Sequence, residues 1–240
     1  MKIIAHRGDS ASFPENTPEG WEAAYANGAF AIEADVRLSS DGHCICAHDP
    51  DLRRLFARPE RPEDLTLEEL LGLRNGSGGR IVILAEVLRH ARRDRAVLLD
   101  IKDETPRALE AIRKAIIETV PPLQRPFIIA GCHTIEAVRF FADQGETGIL
   151  GFIPAPDEAE AFFGAGAGII RLWERDVAPD RIALLHALGA EVWATSGGRG
   201  TAYDGGDTSA KNLAAMAEAG ITGVLVNDVT MTRSALESMK

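Results

Sequence analysis

Two histidines in this sequence stand where an extended run gives way to a turn: His6 is followed by Arg7 and Gly8, and His48 by Asp49 and Pro50. His43, His90, His133 and His186 fall in settings expected of ordinary surface or helix residues. An imidazole titrates near neutral pH, so a pair at strand ends can take a proton from one oxygen and give one to another. A second group is acidic. Alternate side chains of a strand share a face, so Glu33 and Asp35 project together, as do Asp100 and Lys102. Carboxylates converging in one place are costly to desolvate and repel each other unless a cation intervenes. An all-oxygen set from Glu33, Asp35 and Asp100 suits a divalent cation, Mg²⁺ or Ca²⁺, better than zinc or copper. The competing reading is that these acids pair with Arg37, Lys102 or other bases. Each imidazole would contribute about 10²- to 10⁴-fold to proton transfer, while a metal with Arg7 or Lys102 would hold the oxygens of an anionic substrate.

Positioning these residues requires a regular frame. Apolar, β-branched runs recur at 2–6, 30–36, 96–102, 127–131, 148–153, 168–172, 191–195 and 223–227. Helical patterns lie between them, over 18–27, 84–93, 106–119, 135–144, 157–163, 179–188, 209–219 and 231–238. Many end at a glycine, as at Gly28, Gly145, Gly189 and Gly220. Eight βα units predict an α/β fold, a TIM (β/α)8 barrel forming a single domain over residues 1–240, with a doubly wound open sheet as the alternative. In such a barrel the carboxyl ends of the strands meet on one face, which would gather His6, Arg7, Glu33, Asp35 and Asp100 around one opening.

Two interruptions bear on that opening. Residues 43–47 form a short extra extended run after Ser39, Ser40, Asp41 and Gly42, which predicts a hairpin following the second strand. The excursion over 50–80, with one helical pattern at 65–73, would overhang the mouth. The glycine-rich stretch 197–206 is expected to be a loop after the seventh strand, since its glycines lack the spacing of a dinucleotide cradle.

Composition excludes several roles. Apolar residues at 45% and charged residues at 26% describe a globular chain. A net charge of −10 opposes binding to nucleic-acid phosphates or anionic lipid surfaces. The basic group Arg89, Arg92, Arg93 and Arg95 reads as the solvated face of an amphipathic helix. Met1 and Lys2 lead directly into Ile3 without an extended apolar segment, and no apolar run reaches membrane-spanning length, so no stable membrane anchoring is expected. Three cysteines, Cys44, Cys46 and Cys132, form no paired framework, and reduced thiols agree with a cytoplasmic location.

The motifs HRG (6–8), PENT (14–17), IEADV (32–36), DG (41–42) and HD (48–49), in this order, resemble the glycerophosphodiester phosphodiesterase family. DIK (100–102), LAEVL (84–88), VWAT (192–195) and VND (226–228) continue the resemblance along the chain. It implies an α/β barrel, general acid and base at His6 and His48, metal ligands at Glu33, Asp35 and Asp100, and phosphate contacts from Arg7 and Lys102. It further implies that Asn16 steadies the site near the metal and that Trp193 packs against the glycerol or alcohol moiety at the mouth, barrel packing being the competing role for Trp193.

Three positions depart from the family pattern. Asp100 replaces the usual Glu, as in sphingomyelinase D-like relatives; Leu52 to Phe56 replaces an LDRTT-type stretch; and Asn227-Asp228 stands where Thr-Asp is frequent. The expected activity is metal-dependent hydrolysis of a small-molecule glycerophosphodiester to sn-glycerol 3-phosphate and an alcohol. A phospholipase D-type reaction on lysophospholipids and a catalytically silent binding barrel are the alternatives.

Overall fold

Eight of the apolar runs become eight parallel strands that close on themselves in the computed structural model, which describes residues 1–239. In chain order the elements begin with β1 (Lys2–Ala5), α1 (Pro18–Ala26) and β2 (Ala31–Leu38). The excursion follows, with β3 (Cys44–Cys46), α2 (Arg53–Phe56), α3 (Leu67–Leu71) and β4 (Val82–Ile83). Regular alternation resumes with α4 (Leu84–Leu88), β5 (Ala96–Ile101), α5 (Pro106–Thr119), β6 (Ile128–Cys132) and α6 (Ile135–Ala142). It continues through β7 (Gly148–Phe152), α7 (Ala159–Ala165), β8 (Ile169–Trp173), α8 (Pro179–Leu188), β9 (Glu191–Thr195), α9 (Ala210–Glu218), β10 (Gly223–Val226) and α10 (Val229–Glu237).

Pairing of β1 with both β10 and β2 closes the barrel, which discards the open-sheet alternative. Helices start promptly after the strand ends because short polar side chains cap them. Thr17, Thr105, Thr134, Ser209 and Asp228 each accept a hydrogen bond from a backbone N–H of the first turn, and such caps contribute about 1 kcal/mol apiece. The outward faces of the strands bury Val97, Leu99, Ile128, Val192 and Val224 against the helices. The inward faces fill the lower barrel with Ile4, Ala31, Ala96, Leu98, Ile129, Leu150, Trp193 and Leu225.

The hairpin forms as β2 and β3, antiparallel with Val36 opposite Cys46 and Leu38 opposite Cys44. Ser39 closes the turn by accepting from the His43 N–H and donating to Asp41. A further strand, β4, pairs antiparallel with β3, which the pattern did not suggest because two residues carry no period. The excursion owns a small core of Ile45, Leu52, Leu65, Leu70 and Ile81 and reaches back to the first turn of α1, where Arg80 pairs with Glu19 at 2.9 Å.

The helix expected over 84–93 stops at Leu88, and the arginines are not a helical face. Arg92 and Arg95 instead exchange backbone hydrogen bonds of 3.0 and 2.9 Å across a tight turn. Continuing the helix would place Arg89, Arg92 and Arg93 at repelling i, i+3 and i+4 positions, and the chain must enter β5 at Ala96. Arg95 is neutralised by Glu22 at 2.9 Å and lies over the Tyr25 ring. Among the described residues, no helix is long and apolar enough to cross a membrane.

Candidate active site

Register places the acids. Asp35 lies opposite Asp100 in the β2·β5 ladder, and Glu33 lies one inward tier deeper, opposite Leu98. Glu33, Asp35 and Asp100 are all buried, and one oxygen from each lies within 4.8 Å of the others. Two cations approach this triad. Lys102 Nζ stands 3.1 Å from Asp35 and 2.7 Å from Asp100, while Arg7 Nε stands 3.4 Å from Asp35. The competing expectation of ion pairing is therefore met in part, with Lys102. Arg37 is engaged elsewhere, donating to Glu63 and to the backbone carbonyl of His48.

Two cations leave three carboxylates short of neutrality. Burial, together with Asp35 and Asp100, pushes the Glu33 carboxyl well above its ordinary range. Burial raises Asp35 too, but Lys102 and Arg7 outweigh it and hold that carboxyl down. For Asp100, Lys102 and His133 likewise overcome burial. Glu33 Oε1 is buried without a hydrogen-bond partner, and Asp35 Oδ1 has only the ion pair with Lys102. These oxygens on β2, converging with the Asp100 carboxylate on the neighbouring β5, fit a hard divalent cation, which prefers oxygen ligands.

The turn after β1 wraps the triad. Arg7 and Asn16 both adopt left-handed backbone conformations, φ 60° and 54°, which cost non-glycine residues of order 1 kcal/mol or more. Compensation is local: the Arg7 N–H donates to Glu33 at 2.7 Å, the Asn16 N–H donates to the Arg7 carbonyl at 2.9 Å, and the Asn16 amide donates to Asp35 at 2.9 Å.

The histidines are each oriented through Nδ1. His6 Nδ1 is 2.8 Å from Asn227 Oδ1, and the Asn227 amide nitrogen is committed to the Gly205 carbonyl and to Asp207. That commitment fixes the oxygen toward His6, so His6 carries its hydrogen on Nδ1 and keeps Nε2 as the basic nitrogen. Burial, reinforced by Arg7, lowers the His6 pKa to about 4, so the ring is neutral at pH 7. Gly206 makes the arrangement possible: at φ +91°, a Cβ there would lie 2.1 Å from Asn227 Oδ1 and 2.7 Å from His6 Nδ1. His48 Nδ1 is 2.7 Å from Asp49, whose other oxygen is held by Arg54 at 2.6 Å.

A cavity of about 310 Å³ opens above the triad, and its polar lining includes His6, Arg7, His48, Asp100, Lys102 and His133. Phe152, Arg171, Trp173 and Thr195 also line it. His133, set aside as an ordinary residue from sequence, donates through Nε2 to the Asp100 carboxylate at 2.7 Å. Its place at the close of β6, matching His6 at the close of β1, was the available signal. Arg171, equally missed, is a lone cation inside the apolar run GIIRLW.

Trp193 does not sit at the mouth. It is fully buried on the barrel floor, its indole nitrogen donating to Glu191 at 2.6 Å and its ring edge-on to Phe30. Thr195, one inward tier higher on β9, reaches the cavity instead, and Gly223 leaves room for the indole, since a Cβ there would lie 2.6 Å from it. Trp173 is the tryptophan at the mouth.

Barrel closure and a buried acid triad flanked by two oriented imidazoles define a (β/α)8 barrel with a polar cavity at the carboxyl ends of its strands. Residues 6–231 match the sequence profile of the Glycerophosphoryl diester phosphodiesterase family, and the chain belongs to that family. A glycerophosphodiester phosphodiesterase of Caldanaerobacter subterraneus subsp. tengcongensis is 41% identical over 92 residues, covering 35% of this chain and 38% of that protein. Human glycerophosphodiester phosphodiesterase 1 is 31% identical over 131 residues, covering 49% and 39%. The chain thus spans well under two thirds of either relative. The barrel resembles that of a Thermotoga maritima glycerophosphodiester phosphodiesterase, with TM-score 0.77, 21% identity and coverage of 97% and 96%. It also resembles an Oleispira antarctica phosphodiesterase solved with the product sn-glycerol-3-phosphate, with TM-score 0.84, 18% identity and coverage of 99% and 97%.

Proposed function

We propose that this chain hydrolyses small glycerophosphodiesters to sn-glycerol 3-phosphate and an alcohol, with a divalent cation held by Glu33, Asp35 and Asp100. The observation that carries the reading is the joint lining of one cavity by the separately oriented His6 and His48, by Arg7 and Lys102, and by the rim of an acid triad in which Glu33 Oε1 has no hydrogen-bond partner. When bound, the divalent cation polarises a phosphoryl oxygen and neutralises the triad.

Arg7 and Lys102 hold phosphate oxygens, the first as a planar fork and the second as a point charge. Neutral His6, steadied by Asn227, accepts a proton through Nε2 from the attacking oxygen. His48, oriented by Asp49 through Nδ1, gives a proton to the departing alcohol oxygen. Asn16 steadies Asp35. In the net reaction one P–O bond breaks, the water oxygen ends on phosphorus and a proton ends on the alcohol. A cytoplasmic setting accords with three free cysteines, of which Cys46 and Cys132 are buried.

Turnover of glycerophosphoserine, glycerophosphoethanolamine and glycerophosphocholine with Mg²⁺, Ca²⁺ or a chelator, beside lysophosphatidylcholine, tests this reading. Cation-dependent release of sn-glycerol 3-phosphate is expected. Turnover indifferent to chelation overturns the metal role, and preference for lysophosphatidylcholine overturns the substrate assignment in favour of a phospholipase D-type reaction.

A further inference from the structure

Arg171 is the one strongly buried cation among the described residues that faces the cavity without an acidic partner. It sits on β8 at 6% exposure, and its Nε and Nη1 have no hydrogen-bond partner. Its guanidinium lies 4.8 Å above the Phe152 ring and 4.3 Å above the Trp173 ring, so stacking fixes the plane that the cavity meets. His133 stacks on the same Phe152 at 4.8 Å, completing a wall of planar groups across the ends of β6, β7 and β8. A buried guanidinium with unfilled donors is expensive in a folded protein and is retained where an anion fills them. Burial lowers its pKa only to about 10, so the group stays cationic at neutral pH.

Charge balance says which anion. The triad's three negative charges, the positive charges of Arg7 and Lys102, one divalent cation and one phosphodiester cancel. Arg171 is then a surplus positive charge, and the glycerol half of the substrate offers nothing negative to meet it. The same stacking covers the aromatic faces that would otherwise cage a quaternary ammonium.

We propose that Arg171 selects glycerophosphodiesters whose head-group alcohol carries an anionic group, a carboxylate or a second phosphate, over those with a purely cationic head group. The inference rests on the glycerophosphodiesterase reading and assigns its substrate class. A bidentate contact from this planar fork to a carboxylate is the geometry a guanidinium favours.

Glycerophosphoserine and glycerophosphoethanolamine differ by one carboxylate and make the test direct. The unaltered protein should favour glycerophosphoserine in kcat/KM by about tenfold or more, the worth of one charge-assisted contact. In Arg171→Met that ratio should collapse toward one, chiefly through a higher KM for glycerophosphoserine, and Arg171→Lys should recover part of it. Arg171→Met should melt no lower than the parent, since it removes an unpaired buried charge. A parent ratio near one, or a ratio unchanged in Arg171→Met, overturns the proposal; equal slowing of both substrates would make Arg171 a phosphate clamp instead. Calorimetric binding of O-phosphoserine and O-phosphoethanolamine in the presence of Mg²⁺ separates the two readings. If neither diester is hydrolysed, the activity falls, while tighter phosphoserine binding that is lost in Arg171→Met still supports the anion site and equal binding overturns it.

Discussion

Removing one acid from the triad should do opposite things to the protein with and without metal. Lying within 4.8 Å of each other, two of these carboxylates repel by about 3.5 kcal/mol or more at an effective dielectric constant near 20. Lys102 and Arg7 offset two of the three charges, which leaves the third to be relieved by protonation. Glu33 is the group that takes the proton, because its carboxyl is pushed above the ordinary range by burial and by Asp35. A carboxyl whose folded pKa is raised binds more protons folded than unfolded, so it contributes stability at low pH that is lost as pH rises from the unfolded value through the folded one. The metal-free protein should therefore lose stability toward neutral pH, and Glu33→Gln should flatten that loss and raise the melting temperature at pH 7. A divalent cation at 100 times its Kd should add about 2.7 kcal/mol to the parent, or roughly 5 to 11 °C for a chain of this size, and far less to Glu33→Gln. Differential scanning calorimetry with Mg²⁺, Ca²⁺ and a chelator reads both effects. A parent melting temperature indifferent to cations, or a variant that responds as strongly as the parent, would refute the reasoning.

Three further outcomes follow from other parts of the barrel. Gly206→Ala should lower kcat at least tenfold at near-parental KM, because the new Cβ must displace Asn227 or His6; steady-state kinetics checks this, and a parental rate contradicts it. Trp193→Ala should cost about 3 to 5 kcal/mol in denaturant unfolding and leave KM nearly unchanged, since the ring fills the barrel floor. His6 folds with its pKa lowered from 6.5 to about 4, so the stability of its neutral form is complete above about pH 6.5 and lost as pH falls toward 4; in His6→Gln, acid unfolding monitored by circular dichroism should start at lower pH.

Much of this could be read from residue order because two short periods govern it. Alternation along β2 put Glu33 and Asp35 on one face, and the barrel brought Asp100 level with Asp35. The hairpin was visible in its turn residues, Ser39 to Gly42. What escaped were facts of tier and partner rather than of face. Trp193 shares the inward face of β9 with Thr195, but height in the barrel depends on strand stagger, which one sequence does not display. His133 and Arg171 acquire their places from neighbours on other strands, Asp100 for one and Phe152 with Trp173 for the other. Asn227 registered only as a departure from the family pattern, yet it orients His6 from the far end of the chain. The helix expected through Arg93 ended early because the return to β5 and repulsion among arginines outweighed apolar periodicity.

The central claim is that His6, His48 and the acid triad act together on one phosphodiester. Phosphorus NMR of glycerophosphoserine incubated with Mg²⁺ measures this directly in the parent, His6→Ala, His48→Ala and Asp35→Asn proteins, each first checked for parental circular dichroism. The parent should convert the diester signal to that of sn-glycerol 3-phosphate, and each folded variant should lose at least about 99% of the rate, the lower end of one proton-transfer role. Parental rates in any folded variant, or a phosphorus product other than sn-glycerol 3-phosphate, would contradict the account.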